Sequence, residues 1–325
     1  MVSISRAASC LAALCLIATG PAAVASPLDS VVGVHATVPK SARTAESLGT
    51  ERAGSGVVIA EDGLTLTIGY LVMESERTEL SLPDGREVPA ELVAYDFITG
   101  FGLLRPLMPI DIPPVALGRS GELAVRSEVL VAGHGGAGAA HPAYVVDRRE
   151  FAGYWEYLLP DAIFTAPPYR EFGGAALFGR DGALLGIGSL AVGDAAGDGQ
   201  PVAGNMFVPI DALKPILDDL VAKGRAAGPD RPWLGIYLSE TRGHLFVERV
   251  ASYGPAARDG LEKDDIVVAV GAQPVTGLAE LYRAIWALGE AGVEVPLTVL
   301  RGGRLLEIAV ASASRYDHLR LKPTY

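Results

Sequence analysis

The sequence predicts a mainly β chain of two domains, the first a barrel or sandwich and the second a smaller α+β unit. Short apolar runs alternate with turn residues at regular spacing through residues 53–208. Glycine and proline are abundant, with 39 and 22 residues, which suits many short strands joined by tight turns. A charged stretch rich in glycine and proline at 223–231 then separates this region from a second set of strands and one helix.

The strands of the first domain are predicted from the turns between them. The segment 79–93 has two apolar-rich runs around Pro83-Asp84-Gly85, which predicts a hairpin. EVLVAG (128–133) and ALLGIGSL (183–190) are short buried-strand candidates, and the second is entered through the turn at 180–182. Near the end of the domain the pattern changes to helical spacing before a glycine stop, at Leu213, Ile216, Leu217, Leu220 and Gly224.

The second domain begins with two apolar-rich runs, WLGIYL (233–238) and HLFVERV (244–250). The segment GPAARDGLEKDDIVVAV (254–270) follows and ends in a further strand candidate. We predict a helix from Leu278 to Leu288 and a closing hairpin that turns at Gly302-Gly303.

Residues 1–25 have the pattern of a cleaved secretory signal peptide. Arg6 is the only charged side chain, an apolar run follows over 7–18, and the small-residue site Ala23-Val24-Ala25 comes next. The apolar run is too short to span a membrane. We therefore expect export to the periplasm, and retention of the segment as an anchor is the weaker alternative.

Both cysteines, Cys10 and Cys15, lie in this predicted leader, so the mature chain would have none. That excludes a disulfide, a cysteine nucleophile and a zinc-thiolate site. We expect no cofactor. The net charge of -11 disfavours nucleic acid and anionic membranes as partners.

Several segments together resemble the HtrA/Deg family of periplasmic trypsin-like proteases. They run in the family's order from GSGVVIAEDGLTLTIGYLV (54–72) through GGAALFGRDGALLGIGS (173–189) to WLGI (233–236). The resemblance covers about residues 50–312. It implies a chymotrypsin-like double β-barrel followed by an α+β PDZ domain. The implied division is a signal peptide at 1–25, an N-terminal segment at 26–50, a protease-like domain at 51–222, a linker at 223–231, a PDZ domain at 232–312 and a tail at 313–325.

The three positions that match the family's catalytic triad hold other residues. In LTIGYLV (66–72), Tyr70 stands where the family has the general-base histidine. Gly100 stands where the family has the aspartate that orients this histidine, and Gly173 stands in place of the serine nucleophile. A phenol is almost fully protonated at neutral pH and is a poor base. Loss of such a triad typically costs about a million-fold in turnover, so the sequence predicts a pseudoprotease.

Two alternatives to an inert scaffold stay open. The chain could be a serine endopeptidase that uses an unrecognised active site, as the resemblance to the family favours. His134 and His141 lie in one loop rich in glycine and alanine and are weak candidates for a metal site, with two solvated histidines as the simpler interpretation.

The resemblance places peptide binding in the second domain. PDZ domains bind a C-terminal peptide as an added strand, with backbone N–H groups holding its carboxylate. The matching loop is Trp233-Leu234-Gly235-Ile236, and the predicted helix contributes an apolar stripe that includes Leu281 and Ile285. We therefore expect binding of C-terminal or unfolded polypeptide segments. An active HtrA-type paralogue is a further candidate partner, and a homotrimer formed through 26–50 is a candidate assembly.

Overall fold

The computed structural model describes residues 26–197 and 199–319, which form two closed six-stranded barrels followed by a separate sheet with helices. The mainly β fold class is therefore confirmed, as are the trypsin-like double barrel and the PDZ-type second domain. The predicted signal peptide at 1–25 lies outside the described residues. None of the helices within the described ranges is long and apolar enough to cross a membrane.

The first barrel closes in the order β1-β2-β3-β6-β5-β4. A short helix α1, Ala45–Leu48, joins the first two strands, and a 3-10 helix, Gly69–Leu71, follows the third. The predicted hairpin around Gly85 joins β4 to β5. The strands are β1 (Val31–Thr37), β2 (Glu51–Val58), β3 (Thr65–Ile68), β4 (Arg77–Ser81), β5 (Glu87–Tyr95) and β6 (Phe101–Pro106).

Strand β1 corrects the predicted domain boundary at residue 51. It pairs with β2 from Val31↔Val57 to Thr37↔Glu51, and its other edge pairs with β4. Residues 31–37 are therefore part of the barrel wall, not of a separate N-terminal segment at 26–50. The physical reason is closure of the barrel. Without β1, the edges of β2 and β4 would be unpaired and the barrel would stay open.

The second barrel closes in the order β10-β11-β12-β9-β8-β7. Helix α2 (Leu217–Lys223) follows it and ends at Gly224, whose left-handed φ of +75° fits the predicted glycine stop. The helix is shorter than the periodic pattern, which begins at Leu213, because residues 213–216 form turns before the helix starts. The strands are β7 (Glu128–Ala132), β8 (Ala140–Gly153), β9 (Tyr157–Ala166), β10 (Ala176–Phe178), β11 (Leu184–Val192) and β12 (Gly204–Pro209).

The second domain is a sheet of order β13-β14-β15-β17-β18, with β16 paired to β15. Strands β17 and β18 form the predicted hairpin, which closes at Arg301↔Arg304 around the glycine pair. The predicted helix is α4, and it buries Leu281, Tyr282 and Ile285 in the core of the domain. The elements are β13 (Ile236–Thr241), β14 (His244–Val250), α3 (Pro255–Arg258), β15 (Ile266–Val270), β16 (Gln273–Pro274), α4 (Leu278–Trp286), β17 (Glu294–Arg301) and β18 (Arg304–Ala311).

The end of the described chain packs against both domains, so residues 313–319 of the predicted tail at 313–325 are part of the folded structure. Ala313 forms a bridge with Trp233, and a short helix α5, Arg315–His318, follows. The phenol of Tyr316 donates to the carbonyl of Tyr95 in the first barrel at 3.2 Å. Residues 313–319 therefore tie the PDZ domain to the first barrel, while 320–325 lie outside the described residues.

Candidate functional site

Tyr70 lies in the 3-10 helix that follows β3, between the two barrels. Its phenol donates a hydrogen bond to the carbonyl oxygen of Ser189 on β11 at 3.0 Å. Burial raises the pKa of this phenol well above its ordinary value of 10. The group is therefore neutral, and its one proton is already engaged with the protein. Such a phenol is a structural donor and cannot accept a proton from a nucleophile at neutral pH.

Gly173 faces the phenol of Tyr70 directly. A Cβ atom at Gly173 would lie 3.0 Å from the Tyr70 oxygen, closer than almost all real Cβ contacts. The carbonyl of Gly173 accepts from the amide of Ser55 at 2.9 Å, which fixes this backbone against β2. The side chain at the general-base position thus fills the space into which a nucleophile would project.

Gly100 has a left-handed backbone, with φ of +84°, that favours glycine. Its carbonyl accepts from the amide of Gly69 at 2.7 Å. The phenol of Tyr157 donates to the neighbouring carbonyl of Thr99 at 2.8 Å and lies 3.7 Å from the point where a Cβ on Gly100 would be. A buried tyrosine therefore packs beside the position of the missing aspartate.

Asp96 has a structural role in the turn before β6. One carboxylate oxygen, Oδ2, accepts from the amide of Thr99 at 2.8 Å and from its hydroxyl at 2.6 Å. These bonds shape the turn between β5 and β6 and leave Asp96 pointing into that turn.

The loop around Gly173 is paired within the protein. The amide of Gly174 donates to the carbonyl of Gly188 at 2.9 Å, and the amide of Ala175 donates to the carbonyl of Phe172 at 3.0 Å. The first bond holds the loop against β11, and the second closes a turn within the loop. A cavity of about 320 Å³ lies beside the loop, with a lining dominated by apolar and aromatic side chains that include Tyr70, Tyr95, Trp155, Tyr157 and Phe172.

The two weak metal candidates lie in different local environments. His134 follows β7, and its ring packs against β1 at Gly33, while its Nδ1 is buried without a hydrogen-bond partner. His141 lies within β8, opposite Val131, and its ring is 6.0 Å from that of Tyr169. No group of three or more histidine, cysteine, aspartate or glutamate side chains is placed to hold a metal within 26–197 and 199–319.

The predicted carboxylate-binding loop holds a carboxylate. The amides of Leu234, Gly235 and Ile236 donate to Glu156 at 2.9, 2.7 and 2.9 Å respectively. Gly235 has a φ of +79°, which turns successive N–H groups toward one point. Glu156 comes from the tip of the β8–β9 hairpin in the second barrel, and it is only 7% exposed.

The backbone around Glu156 also contacts the second domain. The amide of Leu238 on β13 donates to the carbonyl of Tyr154 at 3.0 Å. From the other side, the phenol of Tyr282 on α4 donates to the carbonyl of Gly153 at 2.7 Å and accepts from the amide of Glu156 at 3.2 Å. The hairpin tip, residues 153–157, therefore lies between β13 and α4.

The predicted groove residues come together as an apolar cluster. Leu234, Ile236, Leu281 and Ile285 are at most 1% exposed and share one core cluster, which also includes Leu158 of β9. Trp233 lies at the edge of this loop, where its ring is 4.4 Å from that of His318. Binding of an external peptide by these residues stays a prediction.

Two family models match the chain in tandem. The trypsin-like peptidase domain matches residues 54–187, and the PDZ domain matches residues 232–311. These two matches correspond to the double barrel and to the sheet of the second domain.

Similar proteins are named as periplasmic proteases. A probable DegP-like periplasmic serine endoprotease of Pseudomonas fulva is 27% identical over 301 residues, covering 86% of this chain and 61% of the relative. The periplasmic pH-dependent serine endoprotease DegQ of Escherichia coli is 28% identical over 275 residues, covering 80% of this chain and 59% of the relative. The chain thus spans less than two thirds of the length of these relatives.

Solved structures share the fold. The HtrA-type protease AlgW with a decapeptide has a TM-score of 0.53 at 20% identity, covering 89% of this chain and 96% of that chain. A serine endoprotease from Yersinia pestis has a TM-score of 0.51 at 21% identity, covering 88% of this chain and 94% of that chain.

Proposed function

Because the chain belongs to the HtrA family, with a trypsin-like peptidase domain followed by a PDZ domain, we propose that it is a pseudoprotease that binds polypeptide C-termini. The observation that carries the proposal is the loop 233–236, whose amides converge on a carboxylate within hydrogen-bond distance. Three N–H donors on one carboxylate form the type of site that recognises a peptide C-terminus.

The chemistry at the former catalytic positions supports the absence of proteolysis. Tyr70 is a neutral donor bonded to Ser189, and its oxygen fills the space beside Gly173. No described histidine ring nitrogen within 26–197 and 199–319 hydrogen-bonds a serine or threonine hydroxyl, and His134 contacts the hydroxyl of Ser55 through its backbone amide at 3.0 Å. At the three positions of the family's triad, the described chain therefore has no group that can attack a peptide bond.

The cellular setting follows from the relatives and the leader. The relatives named above are periplasmic, and residues 1–25 have a signal-peptide pattern, so we place the mature chain in the periplasm. There it would hold C-terminal or unfolded segments as a scaffold, chaperone or adaptor in protein quality control. A homotrimer, or a complex with an active HtrA-type paralogue, belongs to the same proposal.

The second candidate function is serine endopeptidase activity, which the names of the relatives favour. The purified full-length mature chain should cleave no casein and should take up no fluorophosphonate label. Labelling that disappears when residues 169–177 are scrambled would establish the endopeptidase instead.

Peptide binding is tested with fluorescent peptides that end in a free carboxylate, compared with the same peptides amidated. We expect binding only of the free carboxylate, and loss of that binding in Gly235→Trp, because a Cβ at this position already lies 3.1 Å from Ala251. Gly303→Trp is the matched control, since Gly303 has the same φ of +79° but no atom within 4 Å of its Cβ position. Equal binding of both peptide forms would contradict the proposal.

A further inference from the structure

The carboxylate bound by the PDZ loop is the side chain of Glu156, and it lies where the carboxylate of a bound peptide would lie. Glu156 reaches Leu234, Gly235 and Ile236 from a hairpin that is remote in sequence and lies in the other domain. It accepts from all three amides, which is the role that the terminal carboxylate of a bound peptide would have.

The backbone before Glu156 also follows the geometry of an added strand. A peptide in a PDZ groove exchanges main-chain hydrogen bonds with the edge strand, a short distance before its carboxylate. Here Tyr154, two residues before Glu156, accepts from the amide of Leu238 on β13 at 3.0 Å. The same tip is held from the helix side by Tyr282, through Gly153 and through the amide of Glu156.

The hairpin tip is shaped for this position and anchored around it. Glu156 has a φ of +58°, a left-handed conformation that costs energy for a residue with a side chain. Arg283 on α4 pairs with Glu150 on β8, and Arg315 donates to the carbonyl of Trp155 at 3.2 Å. A strained backbone conformation persists where surrounding contacts determine it. For Glu156, the three hydrogen bonds from the loop amides to its side chain are such contacts.

We propose that Glu156 is an internal ligand of the PDZ domain, so that hairpin tip 153–157 and an extended peptide with a free C-terminal carboxylate compete for one groove. This inference rests on the proposed peptide-binding function and states when a peptide can bind, namely when the tip has left the groove. A peptide binds the fraction of molecules in which the tip has left the groove, and its apparent affinity is reduced by that fraction.

The test replaces the carboxylate of Glu156 by an amide, in the full chain. In Glu156→Gln the side-chain NH2 group faces an N–H donor, so the contact with the loop weakens. Asp161→Asn is the matched control, because Asp161 is an exposed carboxylate of the same hairpin that pairs with Arg148 and touches no PDZ residue through its described hydrogen bonds.

Amide hydrogen exchange, measured without any peptide, reports whether hairpin tip 153–157 occupies the groove. The amides of 234–236 and 238, which bond to the tip, should exchange at least about tenfold faster in Glu156→Gln than in the wild type, and at the wild-type rate in Asp161→Asn. Equal protection in the wild type and Glu156→Gln would overturn the inference, whatever the peptide assay shows.

Peptide binding then separates this inference from the proposed function. A fluorescein-labelled decapeptide with an apolar end and a free carboxylate should bind Glu156→Gln at least about tenfold tighter than the wild type, as release of the groove requires. Equal, carboxylate-dependent affinity for both proteins would contradict the internal ligand and preserve the proposed function. Faster exchange without binding of any peptide would support the internal ligand and contradict the proposed function.

Discussion

The phenol oxygen of Tyr70 lies 3.0 Å from the point at which a side chain on Gly173 would begin. These are the positions of the general base and the nucleophile in the HtrA family. Position 70 has a tyrosine where the family has histidine, and position 173 has a glycine where the family has serine. The two residues are sterically complementary, because the phenol of Tyr70 occupies space that a side chain at 173 would need.

Restoring the serine alone should not restore proteolysis. In Gly173→Ser the new side chain collides with the phenol of Tyr70, so we expect no casein cleavage and a loss of stability of about 1–3 kcal/mol in urea unfolding. Gly193→Ser is the control, because a Cβ there meets no atom within 4 Å, and it should be near neutral. Equal stability of the two variants would contradict the packing described here.

Removal of the Tyr70 hydroxyl should destabilise the fold without affecting peptide binding. Tyr70→Phe leaves the carbonyl of Ser189 without this donor, which typically costs about 1–2 kcal/mol. Tyr253→Phe, at a side chain that is 90% exposed, should leave the melting temperature unchanged. A Tyr70→Phe protein as stable as the wild type would show that the hydrogen bond to Ser189 contributes nothing.

Peptide affinity should rise with pH above about 4.5. Burial raises the pKa of Glu156 above its ordinary value of 4.5 in the docked hairpin, although the three loop amides and Arg315 oppose this shift. A released Glu156 has its ordinary pKa, so the docked state binds a proton more tightly. Docking is therefore favoured as pH falls from the raised pKa toward 4.5, and the released fraction grows as pH rises through the same window.

This pH dependence is measured by titrating the labelled decapeptide across that window. One proton limits the change to about tenfold per pH unit. Tyr282 and Arg315 are the other groups that face Glu156, and Tyr282 stays neutral because burial raises its pKa. The peptide's own carboxylate, with a pKa of about 3.5, stays ionised. Glu156→Gln should show a flat profile, and a slope that persists in this variant would assign the effect to another group.

Arg315, in helix α5 near the end of the described chain, should stabilise hairpin tip 153–157 in the groove. Arg315→Ala removes the hydrogen bond to the carbonyl of Trp155 and the contact of the guanidinium with Phe97, 4.8 Å from the ring centroid. One such bond is worth about 1 kcal/mol, so we expect peptide affinity to rise about fivefold. Arg304→Ala, at an exposed end of β18, is the control and should bind as the wild type does. Unchanged affinity in Arg315→Ala would show that the tail has no part in closing the groove.

Local signals in the sequence predicted much of the fold. The turn at Pro83-Asp84-Gly85, the glycine pair 302–303 and the helix stop at Gly224 each lie where the structure has them. These features depend on backbone preferences of a few neighbouring residues. The position of β1 was missed because it depends on pairing with β2 and β4, and no short segment encodes a register.

The site was only partly predictable, for a similar reason. The resemblance located Tyr70, Gly100 and Gly173 and the loop 233–236, because these lie in recognisable local motifs. It did not indicate that Tyr70 reaches Ser189 or that Glu156 reaches the PDZ loop. Such contacts join residues far apart in the chain, and a glutamate in a hairpin turn is ordinarily a solvated charge. Burial and convergence of three amides became visible only in the folded chain.

The fit between Tyr70 and Gly173 also constrains how this lineage can change. A serine regained at 173 meets the phenol, while a smaller side chain at 70 leaves a buried carbonyl unpaired and a space beside Gly173. Each single substitution is therefore expected to lower the stability of the fold. A serine at 173 is expected to fit without this cost only when the side chain at 70 changes with it.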